Sequence, residues 1–181
     1  MSLIPHPDRR PKSGSHHHLP PLTLFSLELS RNLRVECVSR LQPAPPLSIE
    51  DHDPISVAIE AMRREKTGCL LVTRVGKLVG IFTERDLLTR VLATNLPLSV
   101  PMAECLTANP VKVSPQDSIQ TAIERMEQGG YRHLPVVDEM NRPVGILSAQ
   151  RVVHYLAEHF PALVYNQPPD PNQVPDAAEG A

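Results

Sequence analysis

Tryptophan is missing from the 181-residue chain, and aromatic residues of all kinds make up only 3% of it. So few flat rings exclude the stacking platforms on which single-stranded nucleic acids are bound. A dominant charge is missing too. The 18 basic and 20 acidic residues leave a formal net charge of −2, too little to gather a phosphate backbone. No apolar run approaches the ~20 residues that a membrane span requires. The opening residues lack a charged region followed by an apolar one, so a secretory signal is not expected. Cysteine is scarce: Cys37, Cys69 and Cys105 are odd in number and far apart, which predicts reduced thiols rather than a disulfide framework. No carboxylate pair or Ser/His/Asp constellation can be located, so catalysis is not expected. The expectation is a soluble cytoplasmic protein that is not an enzyme and that meets neither nucleic acid nor membrane.

Proline, by contrast, is plentiful at both ends. Residues 1–34, with five prolines by residue 30 and the run His16-His17-His18, read as a flexible tail, and residues 164–181 as a second one. Three adjacent histidines on such a tail do not make a defined metal site. Within the first tail, Leu22 to Leu29 is expected as a short ordered piece packing on the core, and Val35 to Leu41 as a strand or short helix.

Between the tails the chain repeats itself. Asp53-Pro54-Ile55-Ser56-Val57-Ala58-Ile59-Glu60-Ala61-Met62 aligns without a gap on Asp117-Ser118-Ile119-Gln120-Thr121-Ala122-Ile123-Glu124-Arg125-Met126. Each begins with an Asp fit for a helix N-cap, and each carries one apolar stripe of Ile, Ala, Ile and Met. Pro54 suits the first helical position. A short strand precedes each helix, and two strands around a turn follow: Leu70 to Thr73 and Leu78 to Phe82, then Leu134 to Asp138 and Val144 to Leu147. A second helix closes each copy, entered at Thr83 or Ser148. One copy of this β-α-β-β-α unit would leave a sheet face bare, whereas two packed sheet to sheet cover it. The predicted fold is therefore α/β (α+β), two such repeats at residues 35–100 and 101–163, related by a pseudo-two-fold axis.

The stretch Gly80-Ile81-Phe82-Thr83-Glu84-Arg85-Asp86 carries the chemistry. A strand running into a helix N-terminus leaves backbone N–H groups beside a hydroxyl and a carboxylate, a place for a phosphate and a sugar diol. The same residues also suit a plain capping box, in which Thr83 and Asp86 serve only their own helix. In the second copy the matching residues are Gly145, Ser148 and Arg151, so a cation stands where the diol acceptor should be.

The doubled unit, its Gly-Ile-Phe-Thr-Glu-Arg-Asp close and the stretch Arg132-His133-Leu134-Pro135-Val136-Val137-Asp138 resemble a tandem pair of cystathionine-β-synthase (CBS) domains, the Bateman module, over about residues 36 to 160. The resemblance implies a regulatory module that binds an adenosine nucleotide (AMP, ADP or ATP) or S-adenosylmethionine between the copies. The family's Gly-x-x-Ser/Thr-x-x-Asp motif falls on Gly80, Thr83 and Asp86. Asp86 would accept both ribose hydroxyls and Thr83 would bond ribose or phosphate. By the same resemblance the phosphate's cation comes from the opposite copy, at Arg132 and His133, and adenine lies near Leu47 and Ile49 with Ile81 beneath. Each of these also has a plainer reading: Arg132 as a solvated charge, His133 as a half-buried strand residue, and the three apolar ones as core. The positions facing the second cleft are Gly68 and Cys69, which bring no charge, so one competent site is expected. The resemblance further implies a homodimer through the amphipathic helices, including Leu87 to Leu92 and Val152 to Leu156, with a separate protein target. The alternatives are a structural or dimerisation module without a physiological ligand, and a metal or redox sensor.

Overall fold

The computed structural model describes residues 21–160 of the chain. The expectations for His16 to His18 and for the two proline-rich ends fall outside that range.

The stretch assigned above to the N-terminal tail holds one helix, α1 (Pro21–Val35). A proline at the first helical position opens it, since its missing N–H would have found no partner there. It outruns the short piece expected at 22–29 because Leu29 and Leu33, four residues apart, share a face that packs on the core of the second repeat. Arg34 Nε adds a hydrogen bond to Gln120 Oε1 at 3.0 Å.

The first repeat runs β1 (Ser48–Glu50), α2 (Ile55–Glu65), β2 (Cys69–Arg74) and β3 (Lys77–Thr83). It closes with α3 (Glu84–Asp86), which continues as a π-helical segment, Leu87–Leu92. After β4 (Thr107–Ala108) the second repeat follows with α4 (Ile119–Gly129), β5 (His133–Val137), β6 (Pro143–Ser148) and α5 (Ala149–His159). The first sheet has the order β1-β2-β3-β4, parallel between β1 and β2 and antiparallel elsewhere. β5 and β6 form the second sheet. Single-residue pairings extend it at the matching places: Val113 beside Val136 repeats Ile49 beside Val72, 64 residues on.

Helix entry differs by one residue from the sequence expectation. Pro54 and Ser118 occupy the N-cap positions, and Ser118 Oγ accepts the Thr121 N–H at 3.1 Å. Asp53 and Asp117 serve the preceding turn instead, accepting the N–H of Glu50 and of Ser114, each at 3.0 Å. An Asx side chain satisfies a turn amide as readily as a helix amide, and in Asp-Pro and Asp-Ser the second residue takes the cap.

The two repeats interleave. Val38 and Leu41, in a tight helical turn ahead of β1, are buried in the core of the second repeat beside Ile119, Leu134 and Leu147. Met102 and Cys105, at the start of the second repeat, are buried in the core of the first beside Ile55, Leu70 and Phe82. Main-chain pairings of Cys37 with Ser118 and of Pro54 with Pro101 repeat the exchange symmetrically. A third buried cluster joins the sheets face to face: Cys69, Leu71, Leu78 and Ile81 from one meet Val137 and Ile146 from the other. At its rim the Leu78 N–H donates to Asn141 O at 2.8 Å, and Asn141 Nδ2 donates back to Leu78 O at 2.9 Å.

The β2–β3 turn carries a local cost. Val75 and Gly76 both adopt left-handed backbone, φ 53° and 72°, as a two-residue hairpin of type I′ demands. Gly76 does so freely; Val75 is β-branched, and its side chain, 91% exposed, gains nothing from packing. Val75→Asn is expected to stabilise the protein by about 1 kcal/mol, read as a higher urea midpoint; an unchanged or lower midpoint contradicts this account.

Candidate functional site

β3 delivers the residues of the motif to one end of the first sheet. Gly80 is buried there, and a Cβ on it would stand 2.8 Å from Leu106 Cδ1. The glycine thus lets the 106–107 segment lie directly against β3, where Thr107 pairs with Ile81. Thr83 is extended and caps the turn that follows. Its Oγ1 accepts the Asp86 N–H at 3.3 Å, while Asp86 Oδ2 accepts the Thr83 N–H at 3.0 Å and the Thr83 hydroxyl at 2.6 Å. The reciprocal cap raised by the sequence is therefore real.

Asp86 is more than a cap. It is buried to 8% exposure, and its other oxygen, Oδ1, accepts from Thr107 Oγ1 at 3.2 Å and pairs with Arg90 Nε at 3.3 Å. Arg90 also donates through a terminal nitrogen to Leu106 O at 2.7 Å, tying the π-helical segment to the strand. Neither residue was anticipated. Arg90 lies four residues beyond Asp86 on one helix, a spacing that advertises the pair. Thr107 arrives by long-range strand pairing and leaves no local trace.

The backbone offers less to a phosphate than the motif suggests. The Glu84 N–H donates to Gly68 O at 3.0 Å, and the Asp86 N–H is held by Thr83. The Glu84 carboxylate itself lies over Gly68, 3.3 Å from where a Cβ would stand.

Leu47 and Ile49 pack against the core of the first repeat, whereas Ile81 belongs to the cluster between the sheets. They are linked across strands: the Leu71 N–H donates to Leu47 O, and Leu71 lies opposite Ile81. From the second repeat, Arg132 is exposed, and its guanidinium makes no hydrogen bond or ion pair among the described residues. His133 is half-buried at the start of β5, opposite Ser148. No hydrogen bond or ion pair joins Asp86 to Arg132 or His133 among the described residues. From the first repeat it is the Glu84 carboxylate whose charge acts on His133.

Burial, and then the charge of Arg132, hold the His133 pKa below 6.5, with Glu84 opposing them. Both favour the neutral ring. A depressed histidine pKa costs stability as pH falls, because the folded state resists a proton that the unfolded chain accepts. The loss begins near pH 6.5 and levels off below the folded pKa. The stability advantage of the native protein over His133→Gln should accordingly shrink between pH 7 and pH 5 in urea titrations; a constant difference would refute the assignment.

The second cleft lacks these features. Ser148 Oγ accepts the Arg151 N–H at 3.3 Å, and Arg151 is exposed without an ion pair among the described residues. Tyr155 stands where Arg90 stands in the first repeat, and its hydroxyl donates to Glu36.

Cys69 and Cys105 are buried, and burial pushes both thiols up to about 11. Neither is a ready thiolate. Among the described residues one trio of potential metal ligands gathers, Glu50, Asp51 and His52. Its carboxylates are already engaged: Asp51 Oδ2 pairs with Arg74 at 2.6 Å, and Glu50 accepts from the Thr73 hydroxyl at 2.9 Å and the Val75 N–H at 2.9 Å. No helix among the described residues is long and apolar enough to cross a membrane.

The family model for the CBS domain matches the chain twice, over residues 38–93 and 102–158. This chain belongs to the CBS-domain family. As a CBS pair it resembles the CBS domain-containing protein CBSCBSPB1 of Arabidopsis thaliana, at 33% identity over 109 residues, which are 60% of this chain and 20% of that protein. The CBS domain-containing protein YhcV of Bacillus subtilis is 30% identical over 101 residues, 56% of this chain and 71% of that one. The chain spans 18% to 20% of the length of the Arabidopsis relatives it matches. Among solved structures, the CBS domain protein PAE2072 from Pyrobaculum aerophilum complexed with AMP aligns with a TM-score of 0.60 at 26% identity, covering 68% of this chain and 99% of that one. The CBS-domain containing protein ATU1752 from Agrobacterium tumefaciens aligns with a TM-score of 0.59 at 28% identity, covering 66% and 98%.

Proposed function

We propose that this CBS pair is a non-catalytic regulatory module that takes one adenosine nucleotide at the Thr83–Asp86 turn and passes the event on by a change in conformation or oligomeric state. The observation that carries this reading is Asp86: a carboxylate buried to 8% exposure, held at the end of a strand beside a threonine hydroxyl. A vicinal diol is the ligand feature that such a group accepts best, with charge-assisted bonds of roughly 1.5–3 kcal/mol each. The similar protein complexed with AMP supports the ligand class. Arg132, exposed and without a partner among the described residues, is the cation proposed for the phosphate from the second repeat. A partner protein would read the change. A second copy of the chain would meet the helical face, where Leu88, Leu92 and Val153 are 60%, 55% and 63% exposed.

The test is a calorimetric titration with AMP, ADP, ATP and S-adenosylmethionine, alongside thermal unfolding. A ligand present at 100 times its dissociation constant stabilises the folded state by ~2.7 kcal/mol. No heat and no shift with any of the four would leave the second reading, a structural or dimerisation module without a ligand. That reading draws on the capping role of Asp86 and on the absence of an equivalent carboxylate in the second cleft.

A further inference from the structure

The ligand-accepting atoms of Asp86 are already spoken for. A carboxylate has about four lone-pair sites. Asp86 accepts three hydrogen bonds, from the N–H and hydroxyl of Thr83 on Oδ2 and from Thr107 Oγ1 on Oδ1, and Oδ1 also forms an ion pair with Arg90 Nε at 3.3 Å. The donors differ in how easily they leave. Those on Oδ2 belong to the cap and depart only if the turn unwinds. On Oδ1, Thr107 is fixed by strand pairing at 3.2 Å, whereas Arg90 is a long side chain, 46% exposed, whose firmer contact is the one to Leu106 O at 2.7 Å rather than the 3.3 Å ion pair to Oδ1. A diol that donates to Oδ1 displaces Arg90 first.

We propose that Arg90 is the specificity-determining residue of this site. It blocks Asp86 while the site is empty and, once a diol displaces it, becomes a second cation, beside Arg132, for the anionic group of the same ligand. This rests on the reading of Asp86 as the ribose acceptor. The amides of the turn offer little for that duty, because Glu84 and Asp86 have already committed theirs to Gly68 O and to Thr83. A guanidinium one helical turn from the carboxylate remains within reach of whatever the carboxylate holds, and its planar fork suits a phosphate. The second cleft has neither half of the device, with Arg151 and Tyr155 at the corresponding positions. An uncharged nucleoside therefore displaces Arg90 without recompense, whereas a nucleotide recovers the charge. The device selects for phosphate through an internal competitor.

The experiment compares adenosine with AMP by calorimetry in the full chain, for the native protein, Arg90→Met and Arg90→Lys. In Arg90→Met, adenosine is expected to bind about two- to fivefold tighter, because a surface-type pair no longer competes. AMP is expected to bind about tenfold weaker, so the preference for AMP falls by more than tenfold. Arg90→Lys keeps a charge on a similar stem and should keep most of that preference. It also serves as the folded control if Arg90→Met is unstable. A preference unchanged in Arg90→Met, or both ligands altered by the same factor, overturns the proposal while leaving the ribose site intact. Binding that is equally strong in Asp86→Ala, or absent from the native protein, overturns the ribose reading and this inference together.

Discussion

Asp86→Ala should abolish nucleotide binding. Charge-assisted bonds to a ribose diol contribute roughly 1.5–3 kcal/mol each, so the one that replaces Arg90 accounts for a loss of about 10- to 150-fold in affinity, and a second that displaces Thr107 as well brings it to the order of 10,000-fold. The substitution also removes a reciprocal cap, worth about 1 kcal/mol, and leaves Thr107 and Arg90 without their acceptor. Stability and binding must therefore be separated. Thr83→Ala breaks the same cap but leaves the carboxylate, so it should cost about as much in stability while weakening binding far less. Calorimetry with AMP and urea unfolding of both variants give the comparison. If Asp86→Ala binds as the native protein does, the carboxylate is a capping group and nothing more.

The second large effect is expected far from that site. Leu41→Ala removes a side chain that is 3% exposed and packed in the core of the second repeat, although it lies at the start of the first repeat in sequence. A leucine truncated in such a setting costs about 2–5 kcal/mol, much of a small domain's stability. Hydrogen exchange should locate the damage. Amides of β5 and α4 should lose protection first, with those of β2 and β3 following only through the interface between the sheets. Loss beginning in β2 and β3 would mean that the turn at Val38–Leu41 supports the nearer repeat instead.

How far the sequence revealed this arrangement depends on the range of the interaction concerned. The repeat itself was legible, because Ile55, Ala58 and Met62 and their counterparts Ile119, Ala122 and Met126 recur at helical spacing and are all buried. So was the Thr83–Asp86 cap, which is set by residues three apart. The N-caps at Pro54 and Ser118 were misjudged by one place, since an aspartate can serve a turn or a helix equally well. The exchange of Val38 and Leu41 for Met102 and Cys105 was not legible at all. Apolar residues declare that they will be buried, not which core will bury them. The same limit hid Thr107, whose hydroxyl reaches Asp86 only because β4 adds to the edge of the first sheet.

The crossed leading segments bear on what would happen if the duplicated gene were cut in two. A fragment ending near residue 93 would carry Val38 and Leu41 with no native cavity to fill, and its own cavity, meant for Met102 and Cys105, would stand open. Because plug and socket correspond between the halves, two such fragments would complete each other. Neither repeat therefore completes its core alone, and the crossed segments make folding of the two halves interdependent.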